Sequence, residues 1–463
     1  MNEIYKSVPD MTHALCDQEF SDEFAQQVTA ARICKTLIKN GHEAYFVGGC
    51  VRDKLLGRVP KDYDIATSAS PEQVQAIFPD HLDIGAAFGV IAVQTNVGPF
   101  EVATFRSDGE YSDNRHPDNV KYGTAQEDAM RRDFTINALF MDAEYGDILD
   151  FVGGQKDLKN KILRTVGDPH MRFQEDPLRM LRAVRFEADF DFDSDLGLLD
   201  AIVVNHADIL KISPERIRDE LVKILHCSDP AGAFRLLQCN SLLSTVLPEI
   251  QNMMNVKQPP EFHPEGDVME HTFLGLEHME NPSTALAMAV LLHDVGKPDT
   301  QTFEDRIRFS NHDVVGAKIA QRICERLKFS NSETERVVWL VQKHMRLRFF
   351  PDMRQSKKIK LFRHSGFEEL MELCRIDCAA SHGDQAGMLE QIREEASKIP
   401  EEILKPKPLI NGHDLTNMGY TPGPLFSKIL EAVETEQLEG NLTTHLGAEA
   451  YVLRIFGVPT NEQ

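Results

Sequence analysis

The sequence predicts an α+β protein, a small head of strands and helices followed by a long helical body. Three observations predict it. Short apolar runs bounded by glycines and turn residues crowd residues 44–105. From about residue 125 onward helical spacing of apolar positions dominates, except near Ile148-Leu149-Asp150-Phe151. No internal repeat or low-complexity tract points to a solenoid or a disordered chain.

The elements follow in order. Residues 1–28 are polar and acid-rich, a frayed leader or a first helix. Ala30, Ile33, Leu37 and Ile38 mark an amphipathic helix, and Asn40-Gly41 stops it. Ala44–Val47 reads as a buried strand that Gly48-Gly49 breaks, and a helix restarts from Val51 to Leu56. Asp64 to Thr67 reads as the next strand, and Ser70-Pro71 opens a helix with a capping residue and a proline in its first turn. Phe88–Val93 and Phe100–Phe105 read as paired strands across a turn at Asn96-Val97-Gly98. The polar stretch Arg106–Thr124 is long enough to be a functional loop. Arg131–Leu139 and Glu175–Phe186 read as helices, and the tail from Asn411 as short helices between turns. The expected divisions are a leader at 1–28, a head at 29–165, a helical neck at 166–250, a further helical domain at 251–400 and a helical tail at 401–463.

The chain has 463 residues, which allows about three domains. Hydrophobic residues make 42% and charged residues 27%, as in a soluble globular protein. The absence of a long apolar run excludes a membrane span, and the opening residues carry no secretory signal. Eight scattered cysteines without a C-x-x-C pair argue against a zinc ribbon and for a reducing, cytoplasmic setting. The net charge of −23 weighs against a general nucleic-acid binder unless a local basic stripe is hidden in it.

The head concentrates chemistry. Gly48-Gly49 lets the backbone approach a ligand closely, and Arg52 adds a planar cation, a combination suited to phosphate. If the strand reaches back to Asp62, Asp62 and Asp64 share one face, and such a pair is what two Mg²⁺ ions need to activate a hydroxyl and neutralise a pyrophosphate. Glu101 is a candidate third acid. Arg132, Asp133 and Asn137 can reach a triphosphate and a ribose hydroxyl. On a helix, Asp176, Arg179, Arg182 and Arg185 form one stripe, the first two offering acceptor and donors to a base edge and the last two holding phosphates.

These motifs, in this order, resemble those of the bacterial class II tRNA nucleotidyltransferases, the CCA-adding enzymes and their poly(A) polymerase relatives, over residues 30–220. The resemblance rests on G-G-x-V-R-D at Gly48–Asp53, D-x-D at Asp62 and Asp64, R-R-D-x-x-x-N at Arg131–Asn137, a hinge around Gly153–Leu158, E-D-x-x-R at Glu175–Arg179, and Ile212–Leu221. It implies a polymerase-beta-like head that adds C, C and A to a tRNA 3′ end from CTP and ATP. Asp62 and Asp64 would hold Mg²⁺, and Asp176 and Arg179 would read the base. Arg106–Thr124 matches the family's flexible loop, which argues against an enzyme that adds only C. Gly85-Ala86-Ala87-Phe88-Gly89 lacks the basic pair of the poly(A) polymerases, which favours tRNA. A poly(A) polymerase and a partial, A-adding enzyme are the nearer alternatives.

In the body, His271, His293-Asp294, His312, His344 and Asp377 supply imidazole and carboxylate ligands from several helices, a set suited to a divalent transition metal. Their order resembles the HD phosphohydrolase superfamily, with His312 and His344 matching the extra ligands of its two-metal members. That implies hydrolysis of phosphate esters, and a phosphohydrolase with an RNA-binding head is the alternative from another class. His413-Asp414 lies in a turn-rich context and is expected to be structural.

Overall fold

A computed structural model describes residues 16–85, 89–109, 120–261, 263–303, 305–381 and 386–458. The chain divides into two compact units, residues 1–246 and 247–463.

The first unit opens with helix α1 (Cys16–Lys39), which ends where Gly41 takes a left-handed turn. The boundary expected at residue 28 falls inside this one helix, because acidic residues early in a helix suit its dipole. Strand β1 (Ala44–Val47), helix α2 (Gly49–Leu55), strand β2 (Asp64–Thr67) and helix α3 (Pro71–Ile77) follow. Ser70 and Gln73 close a reciprocal capping box on α3, with Pro71 in its first turn. Then come β3 (His81–Gly85), β4 (Val90–Thr95), β5 (Gly98–Thr104) and the short pair β6 (Arg106–Asp108) and β7 (Val120–Tyr122). Residues 110–119 of the expected loop, and Ala86–Phe88 of the stretch compared with poly(A) polymerases, lie outside the described residues.

Helix α4 (Ala125–Met130) ends before the segment expected to be helical. There Arg131 and Arg132 fold back onto Asp128, a short turn spans Thr135–Asn137, and strand β8 (Leu139–Met141) begins. Strand β9 (Ile148–Asp150) completes a seven-stranded mixed sheet in the order β3-β4-β5-β2-β1-β8-β9, in which β2 and β5 run parallel. Helix α5 (Gly154–Asn160), strand β10 (Ile162–Leu163), helices α6 (Pro169–Glu175) and α7 (Leu178–Phe190), strand β11 (Asp193–Ser194) and helices α8 (Leu196–Asn205), α9 (Pro214–Leu225), α10 (Pro230–Cys239) and α11 (Leu242–Val246) finish the unit. Asp176 lies between α6 and α7 in an extended conformation, since Pro177 disfavours helical geometry in the residue before it.

The second unit begins with α12 (Pro248–Gln251) and is built around α13 (Val268–Glu277), α14 (Thr284–Leu292), α15 (Lys297–Thr300), a hairpin of β12 (Gln301–Phe303) and β13 (Ile307–Phe309), α16 (His312–Arg326), α17 (Asn331–Lys343), α18 (Gln355–Phe362) and α19 (Phe367–Ala379). Every residue of α14 from Leu286 to Leu292 is buried, so this helix is apolar all round and is enclosed by α13, α17 and α19. Helices α20 (Ala386–Ser397), α21 (Glu401–Leu404), α22 (Gly412–Asn417), α23 (Pro424–Leu438) and α24 (His445–Phe456) form the tail, with Leu415, Ile429, Val433 and Val452 in its core. Asp414 closes a capping box with Asn411, a structural role as expected. Among the described residues, no helix is long and apolar enough to cross a membrane.

Candidate functional site

The register of the sheet builds the head site. Val47, the last residue of β1, faces Asp64, the first of β2, so the Gly48 turn leaves the sheet beside that carboxylate. Ile65 faces Val102 on the parallel strand, which brings Glu101 level with Asp64. Asp62 lies outside the strand, because β1 ends at Val47 and leaves it no partner; it precedes Asp64 in an exposed turn. Gly48 has φ 72, and a Cβ there would sit 3.3 Å from the Arg132 guanidinium and 3.8 Å from an Asp64 oxygen. Burial first, and then the charges of Asp62 and Glu101, push the Asp64 carboxyl up to about 6 against the pull of Arg132. Asp62 and Asp64 share the cavity wall, and a pair of neighbouring carboxylates suits a divalent cation.

An open cavity of about 690 Å³ contains this corner. Gly48, Gly49, Arg52, Asp62 and Asp64 line one part of it, and Arg132, Asp133, Asn137, Arg182 and Arg185 another. A chain of hydrogen bonds ties them together. Arg52 donates to Asn137 Oδ1 at 2.7 Å, Asn137 donates to Asp133 Oδ1 at 3.2 Å, and Arg182 donates twice to Asp133 Oδ2, at 2.6 and 2.9 Å. Burial alone would raise the Asp133 carboxyl; Arg182 reverses this and holds it down at about 2. Arg185 is bound to buried Glu220 at 2.6 Å and lies over the Phe186 ring at 4.3 Å. Arg52 lies over Phe190 at 4.5 Å.

Asp176 and Arg179 are not brought together and do not line this cavity. Arg216 holds Asp176 at 2.7 Å, and Glu175 and the carbonyl of Arg172 hold Arg179 at 2.5 and 2.9 Å. The single helical stripe expected of residues 176 to 185 is therefore broken at its first member. Lys61, Arg58 and Lys223 on the cavity wall escaped the sequence reading, as did the Phe186 and Phe190 shelves under the arginines. Arg58 and Lys61 flank the D-x-D motif, so local charge alone could have pointed to them.

The second unit assembles all six residues expected of a metal centre. His271 comes from α13, His293 and Asp294 follow α14, His312 starts α16, His344 ends α17 and Asp377 lies on α19; all are buried. His271, His293 and Asp377 offer ligand atoms within 4.8 Å of one another, and so do Asp294, His312 and His344. Asp294 stands between the two groups. Its Oδ2 faces His293 at 3.4 Å and His271 at 3.8 Å, and its Oδ1 faces His312 at 3.5 Å and His344 at 3.9 Å.

Two observations fit this set to cations. The Nε2 atom of His293 is buried without a hydrogen-bond partner. His312 and His344 each place Nδ1 against a backbone carbonyl, at 2.8 and 2.6 Å, so their Nε2 lone pairs face each other at 3.2 Å. Gly296 fixes the spacing: a Cβ there would lie 2.3 Å from the carbonyl oxygen of His312 and 2.5 Å from the backbone nitrogen of Gly316. Lys297, which bonds Asp294 at 2.5 Å, Arg348, which bonds Asp377 at 2.9 Å, and Glu265, beside His271 at 2.8 Å, were not assigned roles from sequence. Lys297 stands in the His293–Lys297 run itself, whereas Arg348 and Glu265 carry no sequence signal.

Three family models match the chain. They describe the poly A polymerase head domain over residues 44–164, a probable RNA and SrmB-binding site of polymerase A over 191–254, and a putative tRNA nucleotidyltransferase domain 2 over 313–448. A CCA-adding enzyme of Geobacillus thermodenitrificans is 46% identical over 220 residues, 47% of this chain and 54% of that protein, so the match spans about half the relative's length. A CCA-adding enzyme of Ligilactobacillus salivarius is 33% identical over 430 residues, 92% of this chain and 95% of that protein. The crystal structure of the Bacillus stearothermophilus CCA-adding enzyme in complex with CTP superposes with a TM-score of 0.68 at 27% identity, covering 93% of this chain and 98% of that one. With a likeness that runs nearly end to end and a head whose acids, glycine turn and arginines meet in one cavity, the chain belongs to the family of the CCA-adding enzymes.

Proposed function

We propose that the chain adds C, C and then A, from CTP and ATP, to the 3′ end of tRNA without a nucleic-acid template. The observation that carries this reading is the meeting of Asp62 and Asp64 with the Gly48 turn in one cation-rimmed cavity, with Glu101 on the neighbouring strand. The relatives' names and the CTP bound to the Bacillus protein support it. Mg²⁺ held by Asp62 and Asp64 would activate the attacking hydroxyl and neutralise the departing pyrophosphate. Gly48 and Gly49 would leave room for a triphosphate against the backbone, Arg182 and Arg185 would add positive charge, and Asp133 and Asn137 would take a ribose hydroxyl by exchanging one of the hydrogen bonds they now make to Arg182 and Arg52. Asp176 and Arg179 would read a base edge only after releasing Arg216 and Glu175. Such an exchange suits a reader that accepts a pyrimidine and then a purine. A cytoplasmic setting, where tRNA, CTP and ATP meet, goes with this reading.

The test uses three tRNA transcripts, ending before CCA, after C and after CC, with Mg²⁺ and labelled CTP or ATP. Addition of C, C and A followed by a stop is the expected result. Long A ladders would instead make the protein a poly(A) polymerase, and addition of A to the CC end alone would make it a partial enzyme.

The buried His–Asp centre favours a second, accessory activity, hydrolysis of phosphate esters at RNA ends. Its test is release of phosphate from 2′- and 3′-phosphorylated or 2′,3′-cyclic nucleotides after loading with Mn²⁺, Ni²⁺ or Mg²⁺. Full loading without hydrolysis would remove this activity.

A further inference from the structure

A basic groove in the second unit belongs to neither set of site residues described above. A cavity of about 540 Å³ lies where α17 ends, the turn at Leu347–Asp352 crosses and α18 begins. Lys343, Arg346, Arg354 and Lys357 line it, and none of the four forms an ion pair among the described residues. Asp352 is the acid on its wall, and Lys360 at its edge is held by Glu434 at 3.5 Å. With 73 acidic and 50 basic residues in the chain, four cations left without acids stand apart from the average surface. The four positive charges are crowded together with no direct carboxylate partner among the described residues.

Two aromatic rings share the groove. Trp339 is stacked on His364, with ring centroids 3.7 Å apart and planes 4° from parallel, and Phe349 is 60% exposed. Clustered cations beside ring faces are the arrangement that binds single-stranded nucleic acid, phosphates on the cations and bases on the rings. An acidic peptide would use the cations and leave the rings idle. Phe349 also lines the cavity of the His–Asp centre, beside Arg348, Lys297 and His344. The groove and the centre thus meet at one side chain.

We propose that this groove holds a single-stranded RNA segment and leads its terminal phosphate past Phe349 to the His–Asp centre. The delivery half rests on the hydrolytic activity proposed above. There water attacks phosphorus, the bond from phosphorus to the ribose oxygen breaks, and that oxygen takes the proton as orthophosphate leaves.

Trp339 is the sole tryptophan of the chain, so its emission reports on this groove even if RNA also binds elsewhere. The full-length protein is titrated with hexa-adenylate carrying a 3′-phosphate. Saturable quenching is expected. For three phosphate contacts its Kd should weaken about fourfold for each doubling of salt. The double variant Lys343→Gln/Arg346→Gln should bind about tenfold more weakly and lose most of the salt dependence. Unchanged emission on adding hexa-adenylate overturns the groove, and quenching by poly-glutamate alone assigns it to an acidic protein and also overturns it. For delivery, the metal-loaded variant should release phosphate from the hexamer at least about fivefold more slowly while hydrolysing 3′-AMP at the wild-type rate. An equal loss on both substrates overturns delivery. If the wild type hydrolyses neither, the hydrolytic activity fails and delivery with it, while the quenching result still decides RNA binding.

Discussion

Asp64 and Asp133 lie in one cavity but in opposite electrostatic settings. Asp64 faces two acids and one arginine, whereas Asp133 is saturated by Arg182 and Asn137. Asp64→Asn should leave the fold intact and lower nucleotide incorporation by on the order of a thousandfold, read as label transferred from CTP to tRNA. Asp133 contributes to stability. Its folded carboxyl is held at about 2, below the ordinary 3.8, so its contribution is complete above 3.8 and disappears as the pH falls through about 2. Asp133→Asn should therefore cost about 2 kcal/mol at neutral pH and flatten the acid limb of the unfolding curve, measured by denaturant melts from pH 2 to 7. At this scale the types of residue were legible and their partners were not. Asp62, Asp64, Arg132 and Asn137 stand in recognisable spacings, but the acid that holds Arg185 lies 35 residues away, in a pairing that a linear pattern does not display.

Among the elements, Ala44–Val47 and the core of the Asp64–Thr67 strand were readable because short β-rich runs end at strong breakers. Arg131–Leu139 misled because a charged stretch followed by an apolar one has the same composition in a helix end, a turn and a strand. Here the Asp128 carboxylate captured both arginines and ended the helix. One further departure traces to a local cause, the proline after Asp176. Pro177 also makes an element-scale prediction. Pro177→Ala removes the constraint that holds Asp176 out of the helix, so α6 should extend toward α7 and pull Asp176 from Arg216. The expected result is a loss of CTP-over-ATP selectivity of about tenfold with total incorporation largely kept, measured by competition on a tRNA lacking CCA.

For the whole molecule, the tension between a net charge of −23 and a polyanionic partner resolves into local pairing. The cavity cations of the first unit are present, yet Arg52, Arg132, Arg182 and Arg185 already hold carboxylates. Five free cations on duplex phosphates would give a salt slope of about −4.5. A cation that stays with its acid drops out of that count, so tRNA binding should weaken with salt along a shallower slope, read by filter binding from low to physiological ionic strength. The overall fold class was legible because period and punctuation change sharply after the head. The gathering of His271, His293, Asp294, His312, His344 and Asp377 in one centre was legible only as an order of residues, since five helices from distant stretches build it. Chelation should lower the melting temperature of this unit and speed amide exchange in α13, α14, α16 and α19 together.

Asp294 gives that centre a collective property. One carboxylate shares its two oxygens between two groups of ligands and is bound meanwhile by Lys297. A first ion taking Oδ2 would draw that oxygen away from Lys297 and fix the carboxylate's orientation, and a second at Oδ1 would then meet a ligand already turned toward it. Loading should accordingly be cooperative, with a binding isotherm steeper than that of one independent site. A centre filled in this way responds to metal as a threshold, empty below a narrow range of concentration and fully occupied above it.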